Sequence, residues 1–398
     1  MQTGIFVSQR PGGRRGRNDG PYLGQMFRSP SAFMTSSDQI FAENRVSPRL
    51  VISLDAVARN YQTLAGRAPG AETAAVVKAQ AYGLGAAQIA RRLLREGCRS
   101  FFVATPEEGA DLRRAFGGGE AEIWVLNGYR VETRGLFTEH RLGAILNGAT
   151  DLDAALKAPP GPVALHVDTG MSRLGLAPAD AAALSGDQLD ALDVRLVMSH
   201  LACSDDPGSA MNAAQRKQFE AVAGQFPGVR RSLCSTGGVL LGPDYHFDLV
   251  RPGIGLYGAT ANPGEDHGLE PVVRLEAPVL QLRQLESGDT VGYGAAYVAD
   301  RPRLTATVAA GYADGLPRAL SGSGYARFNG AKAPVLGRIS MDLTVLDITD
   351  CESAVRDGAP AAFLGEDLDV VAQIADTLPY EILTGLGRRA ARIYEDAS

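Results

Sequence analysis

Short apolar runs alternate with amphipathic stretches through the first two thirds of the chain. β-branched or aromatic runs such as AAVVKA (74–79) and SFFVAT (100–105) are each followed by an Ala-, Leu- and Arg-rich stretch, as in GAAQIARRLLREG (85–97). Runs of the first kind predict strands, and apolar positions three and four residues apart predict helices. The alternation therefore predicts successive strand–helix units.

The number of these units favours a (β/α)8 barrel of TIM type, an α/β fold. The predicted strand runs are RLVISL, AAVVKA, SFFVAT, AEIWVL, GAILN, VALHVD, VRLVMSH, RRSLCS and FDLVRPG. A barrel usually needs roughly 250 residues, close to the length of this region. A doubly wound open sheet is the main alternative, but no G-x-G-x-x-G follows the first strand. We therefore predict a barrel over residues 49–272.

The pattern changes after about residue 272. Short strands punctuated by Gly and Pro follow, as in RLTATVAAGYADG (303–315) and APVLGRISMDLTVLDI (333–348), and they predict a mainly β domain over 273–398. Residues 1–48 are Gly- and Arg-rich at their start and show neither period. We expect them to be a disordered extension, or the result of a start site assigned too early.

Composition adds mainly exclusions. The chain has 398 residues and a net charge of -6, which argues against nucleic-acid binding and favours a small-molecule partner. Its four cysteines form no C-x-x-C pair, so we expect reduced thiols in a cytoplasmic protein and no metal site. No apolar run approaches the roughly 20 residues that span a bilayer, so we expect no membrane partner.

Lys78 ends a predicted barrel strand and precedes a turn. Functional groups of such barrels lie at the C-terminal ends of the strands, so this amine is predicted to point into the barrel mouth. Partial desolvation would lower its pKa enough for it to form a Schiff base with an aldehyde cofactor. The alternative is a surface lysine at the edge of a strand.

Two glycine-rich segments follow the last predicted barrel strands. They are LCSTGG (233–238) and VRPGIGLYG (250–258). Loops at this place commonly bind phosphate through backbone N–H groups, and Ser235, Thr236, Gly253 and Ile254 are candidate donors. The glycines alternatively serve tight turns. A phosphate site beside a strand-end lysine indicates pyridoxal 5'-phosphate more than any other common cofactor.

Seven motifs in order resemble those of the bacterial alanine racemase family. They are VVKAQAYGLG, HVDTGMSRLG, SHLAC, VRPGIGLYG, VGYGAAY, GYADG and GRISMD. The resemblance extends from about residue 49 to the end of the chain. It implies an isomerase that interconverts L-alanine and D-alanine, and a homodimer whose active sites lie between the barrel of one subunit and the β domain of the other. D-Alanine would be supplied for cell-wall peptidoglycan, or broken down.

The resemblance also implies roles for individual residues. Lys78 would hold the cofactor and act as acid/base on the D-enantiomer, and Tyr293 of the partner subunit would remove the proton from L-alanine. Arg251 would face the pyridine nitrogen of the cofactor and keep it unprotonated, which disfavours transamination. His200 would lie beside the ring, or would be a hydrogen-bonded histidine at a strand end.

Further assignments follow from the same motifs. Tyr82, with Thr236, Gly253 and Ile254, would bind the phosphate, and Arg173 would lie near the substrate carboxylate. Met341 would offer its backbone N–H to that carboxylate. Tyr312 would belong to the path by which substrate enters, supported by Asp342, although a purely structural role for both is equally open.

The sequence departs from the family pattern at two positions. His166 stands where many members have a carbamylated lysine that holds the arginine corresponding to Arg173, and a histidine cannot carry that carbamate. Arg388 stands where several members have a phosphate-binding tyrosine. Arginine can bind phosphate by two parallel hydrogen bonds, so Arg388 either contacts the phosphate or faces solvent beside Arg389.

Three other functions stay open at this point. A broad-specificity or serine-preferring racemase would use the same Lys78 and Tyr293. Barrel-type decarboxylases of basic amino acids share the two-domain plan, but Tyr293 and Arg251 argue against them. A non-catalytic protein that carries pyridoxal phosphate would have no use for the β domain and its Tyr293.

Overall fold

A computed structural model describes residues 46–396, with the exception of residues 120, 261–266 and 357–358. The predicted extension, 1–48, lies outside the described residues except for its last three. The helices are α1 (Leu54–Arg67), α2 (Lys78–Tyr82), α3 (Ala86–Arg95), α4 (Pro106–Ala115), α5 (Arg134–Glu139), α6 (Ala149–Lys157), α7 (Pro178–Ala182), α8 (Gly186–Asp190), α9 (Ala210–Ala223), α10 (Thr236–Leu241), α11 (Glu352–Arg356), α12 (Leu368–Ile374) and α13 (Pro379–Gly385).

The strands fall into two groups along the chain. The first group is β1 (Arg49–Ser53), β2 (Glu72–Thr73), β3 (Ala75–Val76), β4 (Ser100–Val103), β5 (Glu122–Val125), β6 (Gly143–Leu146), β7 (Pro162–His166), β8 (Asp193–Met198), β9 (Arg230–Ser232) and β10 (Leu249–Val250). The second is β11 (Val273–Ala277), β12 (Val279–Leu285), β13 (Thr290–Val291), β14 (Tyr297–Val298), β15 (Arg303–Val308), β16 (Tyr325–Phe328), β17 (Ala331–Pro334), β18 (Thr344–Asp347), β19 (Ala361–Leu364) and β20 (Ala391–Glu395).

Strands β2 to β10 form a closed parallel barrel. β3 to β9 are hydrogen-bonded in chain order, and β10 pairs in parallel with β2. Backbone hydrogen bonds from Asp248 to Arg231 (3.0 Å) and from Arg251 to Cys234 (2.9 Å) join the β10 segment to the β9 segment and close the ring. β2 and β3 are parts of one extended segment and count as one strand of the barrel. The described strands β2 to β10 therefore make eight barrel strands. The predicted (β/α)8 barrel is confirmed.

Strand β1 is not part of the barrel, so the prediction that RLVISL is its first strand was wrong. β1 pairs antiparallel with β11 and parallel with β20, in the sheet that follows the barrel in sequence. Leu50 and Ile52 are fully buried there. A short continuous apolar run is typical of any strand covered on both faces, and such a run carries no signal of which sheet it joins.

The remaining strands form the predicted mainly β second domain. A six-stranded sheet has the order β17-β16-β19-β11-β1-β20, and β12, β15 and β18 form a three-stranded antiparallel sheet. The C-terminal segment then returns to the barrel. Arg392 donates to the Gly83 carbonyl oxygen (2.9 Å), and the Tyr394 hydroxyl donates to that of Leu84 (3.0 Å). The end of the chain is therefore held against the turn that follows Lys78.

Apolar side chains fill the barrel interior. Phe102 and Trp124 stack with ring centroids 6.5 Å apart, and both are buried. Ile145, Leu196 and Leu249 belong to the same cluster. Polar groups of the barrel are thereby left to the strand ends. No helix among the described residues is long and apolar enough to cross a membrane.

Candidate active site

The C-terminal ends of the barrel strands carry a ring of polar side chains. The members are Lys78 after β3, Asn147 after β6, His166 at the end of β7, His200 after β8, Ser232 at the end of β9 and Arg251 just after β10. Because parallel strands end at one rim of a barrel, residues distant in sequence meet there. The ring includes the guanidinium of Arg251, which favours an anionic ligand.

Lys78 lines a cavity of about 380 Å³. The other lining residues are Ala79, Tyr82, Thr377, Leu378, Tyr380, Glu381 and Thr384. Burial, followed by the positive charge of Arg173, lowers the pKa of Lys78, and the charge of Glu108 opposes that shift. A partly desolvated amine with a lowered pKa is more often neutral, which is the form that attacks an aldehyde.

The turn after Lys78 has an unusual backbone. Ala79, Gln80, Ala81 and Tyr82 all have positive φ angles, between 51° and 56°. The left-handed region is unfavourable for residues with a Cβ, and consecutive residues rarely adopt it. This turn sends the chain back toward the cavity and places the Tyr82 ring there, 4.8 Å from the centroid of Tyr257.

The predicted phosphate-binding residues lie together. The Thr236 hydroxyl oxygen accepts hydrogen bonds from the N–H groups of Gly253 (3.1 Å) and Gly255 (3.2 Å). The segment of Thr236 and the segment of Gly253 are therefore joined directly. A Cβ at residue 253 would overlap the Tyr82 hydroxyl oxygen. Ser235 precedes helix α10 and Ile254 begins a short 3-10 turn. Glycine at 253 thus lets the tyrosine hydroxyl approach this backbone.

Arg251 is buried, and it has no carboxylate partner among the described residues. Its guanidinium donates to the Ser232 hydroxyl, to the Ser199 carbonyl oxygen (2.6 Å) and to the Leu233 carbonyl oxygen (3.4 Å). Burial lowers the pKa of Arg251 to about 10, which leaves it protonated at neutral pH. A fixed cation therefore stands in the barrel mouth.

Two histidines beside this cation are kept neutral. Burial, followed by the charges of Arg251 and Arg173, lowers the pKa of His166 to about 4 and that of His200 to about 3. The His166 Nδ1 atom is 2.7 Å from the Asn147 Oδ1 atom. Neutral imidazoles both donate and accept hydrogen bonds, so they add polar contacts to the mouth without adding charge.

The loop that carries Arg173 is closed at its base. Asp168 Oδ1 accepts the N–H groups of Gly170 (2.9 Å), Met171 (2.9 Å) and Ser172 (3.1 Å). The Leu176 N–H donates to the His166 carbonyl oxygen at 2.7 Å. The exposed Arg173 side chain projects from this anchored loop.

Several predicted residues are not brought to the cavity of Lys78. Tyr293 is 72% exposed on the β domain and Met341 is 54% exposed. Tyr312 lines a neighbouring cavity of about 370 Å³, which shares Thr377 and Glu381 with the first. Arg388 is exposed and is not among the residues that line either cavity.

Tyr380, which the sequence patterns did not single out, lies in the cavity instead. Its ring centroid is 5.8 Å from that of Tyr82, and burial, followed by the charge of Asp205, raises the pKa of Tyr380 to about 12. The hydroxyl is therefore a hydrogen-bond donor at neutral pH. A tyrosine beside a proline at the start of a helix is the only sequence signal, and it is weak.

A salt-bridge cluster supports the turn of Tyr312. Arg389 donates to both carboxylate oxygens of the fully buried Asp314, at 2.8 and 2.7 Å, and to Asp342 at 2.5 Å. The N–H of Ala313 also donates to the Met341 carbonyl oxygen (3.0 Å). Tyr312 and Met341 therefore lie on one cross-linked surface, with Asp342 as part of the cross-link.

The residues present suit pyridoxal phosphate. Lys78 supplies a desolvated amine, and the close approach of the Tyr82 hydroxyl to the Gly253 backbone forms a cradle that presents a hydroxyl donor. Arg251, with only neutral partners among the described residues, leaves its positive charge available to an anionic ligand. Lysine, phosphate donors and a free cation are the groups that this cofactor requires.

Comparison with known proteins gives a consistent result. The sequence-family model of the alanine racemase N-terminal domain matches residues 52–261, and that of the alanine racemase C-terminal domain matches residues 272–394. An alanine racemase from Rhodospirillum rubrum is 44% identical over 363 residues, 88% of this chain and 97% of that protein. A catabolic alanine racemase from Agrobacterium fabrum is 43% identical over 368 residues, 89% and 93% of the two chains.

A solved structure gives the same result as the sequence comparisons. A crystal structure of alanine racemase from Bartonella henselae, with covalently bound pyridoxal phosphate, has a TM-score of 0.81 and 37% sequence identity. The match covers 88% of this chain and 100% of that one. Both the barrel and the β domain are therefore shared.

Proposed function

Because this chain belongs to the alanine racemase family, we propose that it is a pyridoxal-phosphate-dependent racemase that interconverts L-alanine and D-alanine. Family membership confirms the resemblance predicted from the seven motifs. One observation of the structure carries the proposal furthest: Lys78, with a lowered pKa, stands in a cavity beside the cradle of Tyr82 and Gly253.

The cofactor would be held by residues at the barrel mouth. Lys78 would bind it covalently, and Tyr82, Ser235, Ile254 and Tyr380 would surround its phosphate, with Thr236 and Gly253 shaping the loop. When bound, pyridoxal phosphate takes up the amino group of the substrate and withdraws electrons from Cα, which makes the Cα proton removable.

Racemisation requires a proton to leave one face of Cα and another to arrive on the opposite face, so two acid/base groups are needed. Lys78 would serve one face. Its lowered pKa favours the neutral amine, which is the form that accepts a proton and can return it in the reverse direction.

Tyr293 would serve the other face, and a second copy of the chain would supply it. In its own subunit Tyr293 is exposed on the β domain, outside the residues that line the cavity of Lys78. Leu280 and Leu282 are each 45% exposed on β12, an edge strand. An exposed edge strand with apolar side chains suits burial against another subunit. We therefore propose a homodimer with shared sites.

Arg251 would favour racemisation over transamination. The buried guanidinium is a donor on every nitrogen and keeps its protons, so it gives no proton to a ring nitrogen that it faces. A carboxylate in that position would favour the protonated ring and a more delocalised carbanion. The neutral His200 beside it adds no competing charge.

The substrate carboxylate would meet Arg173 and the backbone N–H of the partner subunit's Met341. Arg173 projects from the loop that Asp168 closes, and its positive charge acts on Lys78. The partner subunit's Tyr312 would line the path by which the amino acid enters. Positioning by a cation and a backbone donor fixes which face of Cα each base meets.

A racemisation assay tests the proposal. Purified protein with added pyridoxal phosphate is given L-alanine, L-serine, L-lysine and L-arginine separately, and each D-enantiomer is followed by chiral chromatography. Dominant turnover of alanine supports the proposal. Dominant turnover of another amino acid would keep the cofactor and the two bases but overturn the substrate, and cofactor binding without any turnover would point to a carrier protein.

A further inference from the structure

One carboxylate outside the ring of polar residues contacts the backbone directly after Lys78. Glu108 lies in the first turn of helix α4. Its Oε1 atom accepts the N–H of Ala79 (2.8 Å), and its Oε2 atom accepts the N–H of Ala104 (2.7 Å). The side chain therefore ties the segment of Lys78 to the end of the neighbouring strand β4.

The backbone at Ala79 needs an external restraint. Ala79 opens the left-handed turn, and its φ of 51° is unfavourable for a residue with a Cβ. The hydrogen bonds from Ala81 to Val77, from Gly83 to Ala79 and from Gly85 to Gln80 close the turn on itself. They do not fix its position against the barrel.

Contacts from other elements fix the turn at both of its ends. Arg392 donates to the Gly83 carbonyl oxygen at the far end, and Glu108 accepts the Ala79 N–H at the near end. The near end is the one that adjoins Lys78. Movement of the Ala79 peptide would move the Cα of Lys78, and with it the point from which the amine reaches into the cavity.

We propose that Glu108 is a positioning residue for Lys78, which it serves by holding the Ala79 peptide in the left-handed turn. The inference rests on the proposed function in so far as Lys78 is the cofactor lysine and a base. The charge of Glu108 also acts on Lys78 and opposes the charge of Arg173, and Lys78 in turn acts on His200.

Glutamine is the discriminating substitution. Glu108→Gln keeps the shape and one acceptor, but it turns an NH2 group toward one of two backbone N–H donors, so one of the two bonds is lost. Glu107→Gln is the matched control, because Glu107 lies in the same first turn of α4 and is exposed. Both changes remove one negative charge from the helix N-terminus, so the dipole effect is equal in the two.

We expect three differences from the control in the holoenzyme. Hydrogen–deuterium exchange of the peptide covering 77–85 becomes faster in Glu108→Gln but not in Glu107→Gln. The kcat for L-alanine falls at least about tenfold in Glu108→Gln, as expected when a hydrogen bond to a charged group is lost from the placement of a base, and KM changes less. The midpoint of thermal unfolding changes little in either variant.

Rescue separates this role from a general loss of stability. Glycine adopts a positive φ without the Cβ penalty, so Ala79→Gly in the Glu108→Gln background should recover part of the lost kcat. The same Ala79→Gly change with Glu108 intact should not raise kcat. If Glu108→Gln yields no folded protein, recovery of folded, cofactor-binding protein by the added glycine supports the proposal.

Two results would overturn the inference. One is equal exchange of the 77–85 peptide in the two glutamine variants, and the other is failure of Ala79→Gly to restore any loss. The exchange experiment needs no turnover, so it decides the role of Glu108 even if the wild-type protein fails to racemise alanine. Failure of the proposed function and failure of this inference are therefore distinct outcomes.

Discussion

The Nδ1 atom of His166 and the Oδ1 atom of Asn147 lie 2.7 Å apart at the barrel mouth. The Asn147 Nδ2 atom donates to the Leu126 carbonyl oxygen (2.8 Å), so its Oδ1 atom is the acceptor toward His166. The proton of the neutral imidazole is thereby placed on Nδ1, and Nε2 keeps its lone pair. The Nε2 atom of His166 is therefore a neutral hydrogen-bond acceptor at the position where the family pattern has a carbamylated lysine.

This arrangement predicts an acid-sensitive fold. The pKa of His166 is about 4 in the folded protein, against about 6.5 in an unfolded chain, so unfolding takes up a proton between these values. The stabilising contribution of the neutral form is complete above about pH 6.5 and is lost as the pH falls toward 4. At pH 5 the loss from His166 alone is about 1–2 kcal/mol.

Urea unfolding at pH 7 and pH 5 measures this effect. The free energy of unfolding of the wild type should fall on acidification, and His166→Gln should show a smaller fall because one of the two buried histidines has been removed. His200, with a pKa of about 3, continues to contribute in the variant. An identical pH dependence in both proteins would argue against a neutral, buried His166.

Gly253→Ala should weaken cofactor binding. The added Cβ would overlap the Tyr82 hydroxyl oxygen and lie 3.5 Å from Val76 Cβ, so the tyrosine must move away from the cradle. We expect the Kd for pyridoxal phosphate to rise about tenfold, as for moderate overpacking of a close contact. Gly66→Ala is the control, because a Cβ there would meet no atom within 4 Å among the described residues beyond the backbone of its own helix. Unchanged affinity in Gly253→Ala would remove Tyr82 and Gly253 from the cofactor site.

Tyr380, and not Arg388, should contribute to cofactor affinity. Tyr380 lines the cavity of Lys78, whereas Arg388 is exposed outside it. Loss of one hydroxyl donor in Tyr380→Phe should weaken binding of pyridoxal phosphate about five- to tenfold. Arg388→Ala should leave the affinity unchanged in a fluorescence titration. The opposite ranking would restore Arg388 as the phosphate ligand.

Arg389→Ala should destabilise the β domain. Asp314 is fully buried, and its carboxylate accepts a bidentate pair of hydrogen bonds from Arg389. Removal of the guanidinium would leave the buried carboxylate without this cationic partner. We expect the free energy of unfolding to fall by about 2 kcal/mol. The half-exposed side chain of Arg389 keeps the loss from being larger. Calorimetry of Arg388→Ala gives the matched control. Equal stability of the two variants would contradict a structural role for this cluster.

The barrel could be predicted because its strands have a local signal. Most of its strands are short runs of apolar residues followed by a helical period, and the chain order of the strands is also their spatial order. β1 has the same local pattern but pairs with β11 and β20, which lie more than 200 residues away. Pairing over such a distance leaves no mark on the pattern of the strand itself.

The site could be predicted only in part for a similar reason. Lys78 and Arg251 adjoin strand ends that the apolar runs mark. The left-handed turn after Lys78 contains two alanines and no glycine between 79 and 82, so helix propensity favours a right-handed helix there. The left-handed conformation is instead found together with long-range hydrogen bonds to Glu108 and from Arg392, which the local sequence does not reveal. Tyr380 reaches the cavity only because the C-terminal segment folds back on the barrel.

The most direct test of the central claim, that Lys78 and the partner subunit's Tyr293 share one active site, is a complementation measurement. Lys78→Ala and Tyr293→Phe are each prepared as full-length protein, both are expected to have little racemase activity, and the two are then co-expressed so that mixed dimers form. In a mixed dimer one site combines an intact Lys78 with an intact Tyr293, so random pairing should restore up to about a quarter of the wild-type sites. Recovery of D-alanine formation toward that level is the predicted result. A mixture that stays as inactive as its separate components, although mixed dimers are present, would contradict the account.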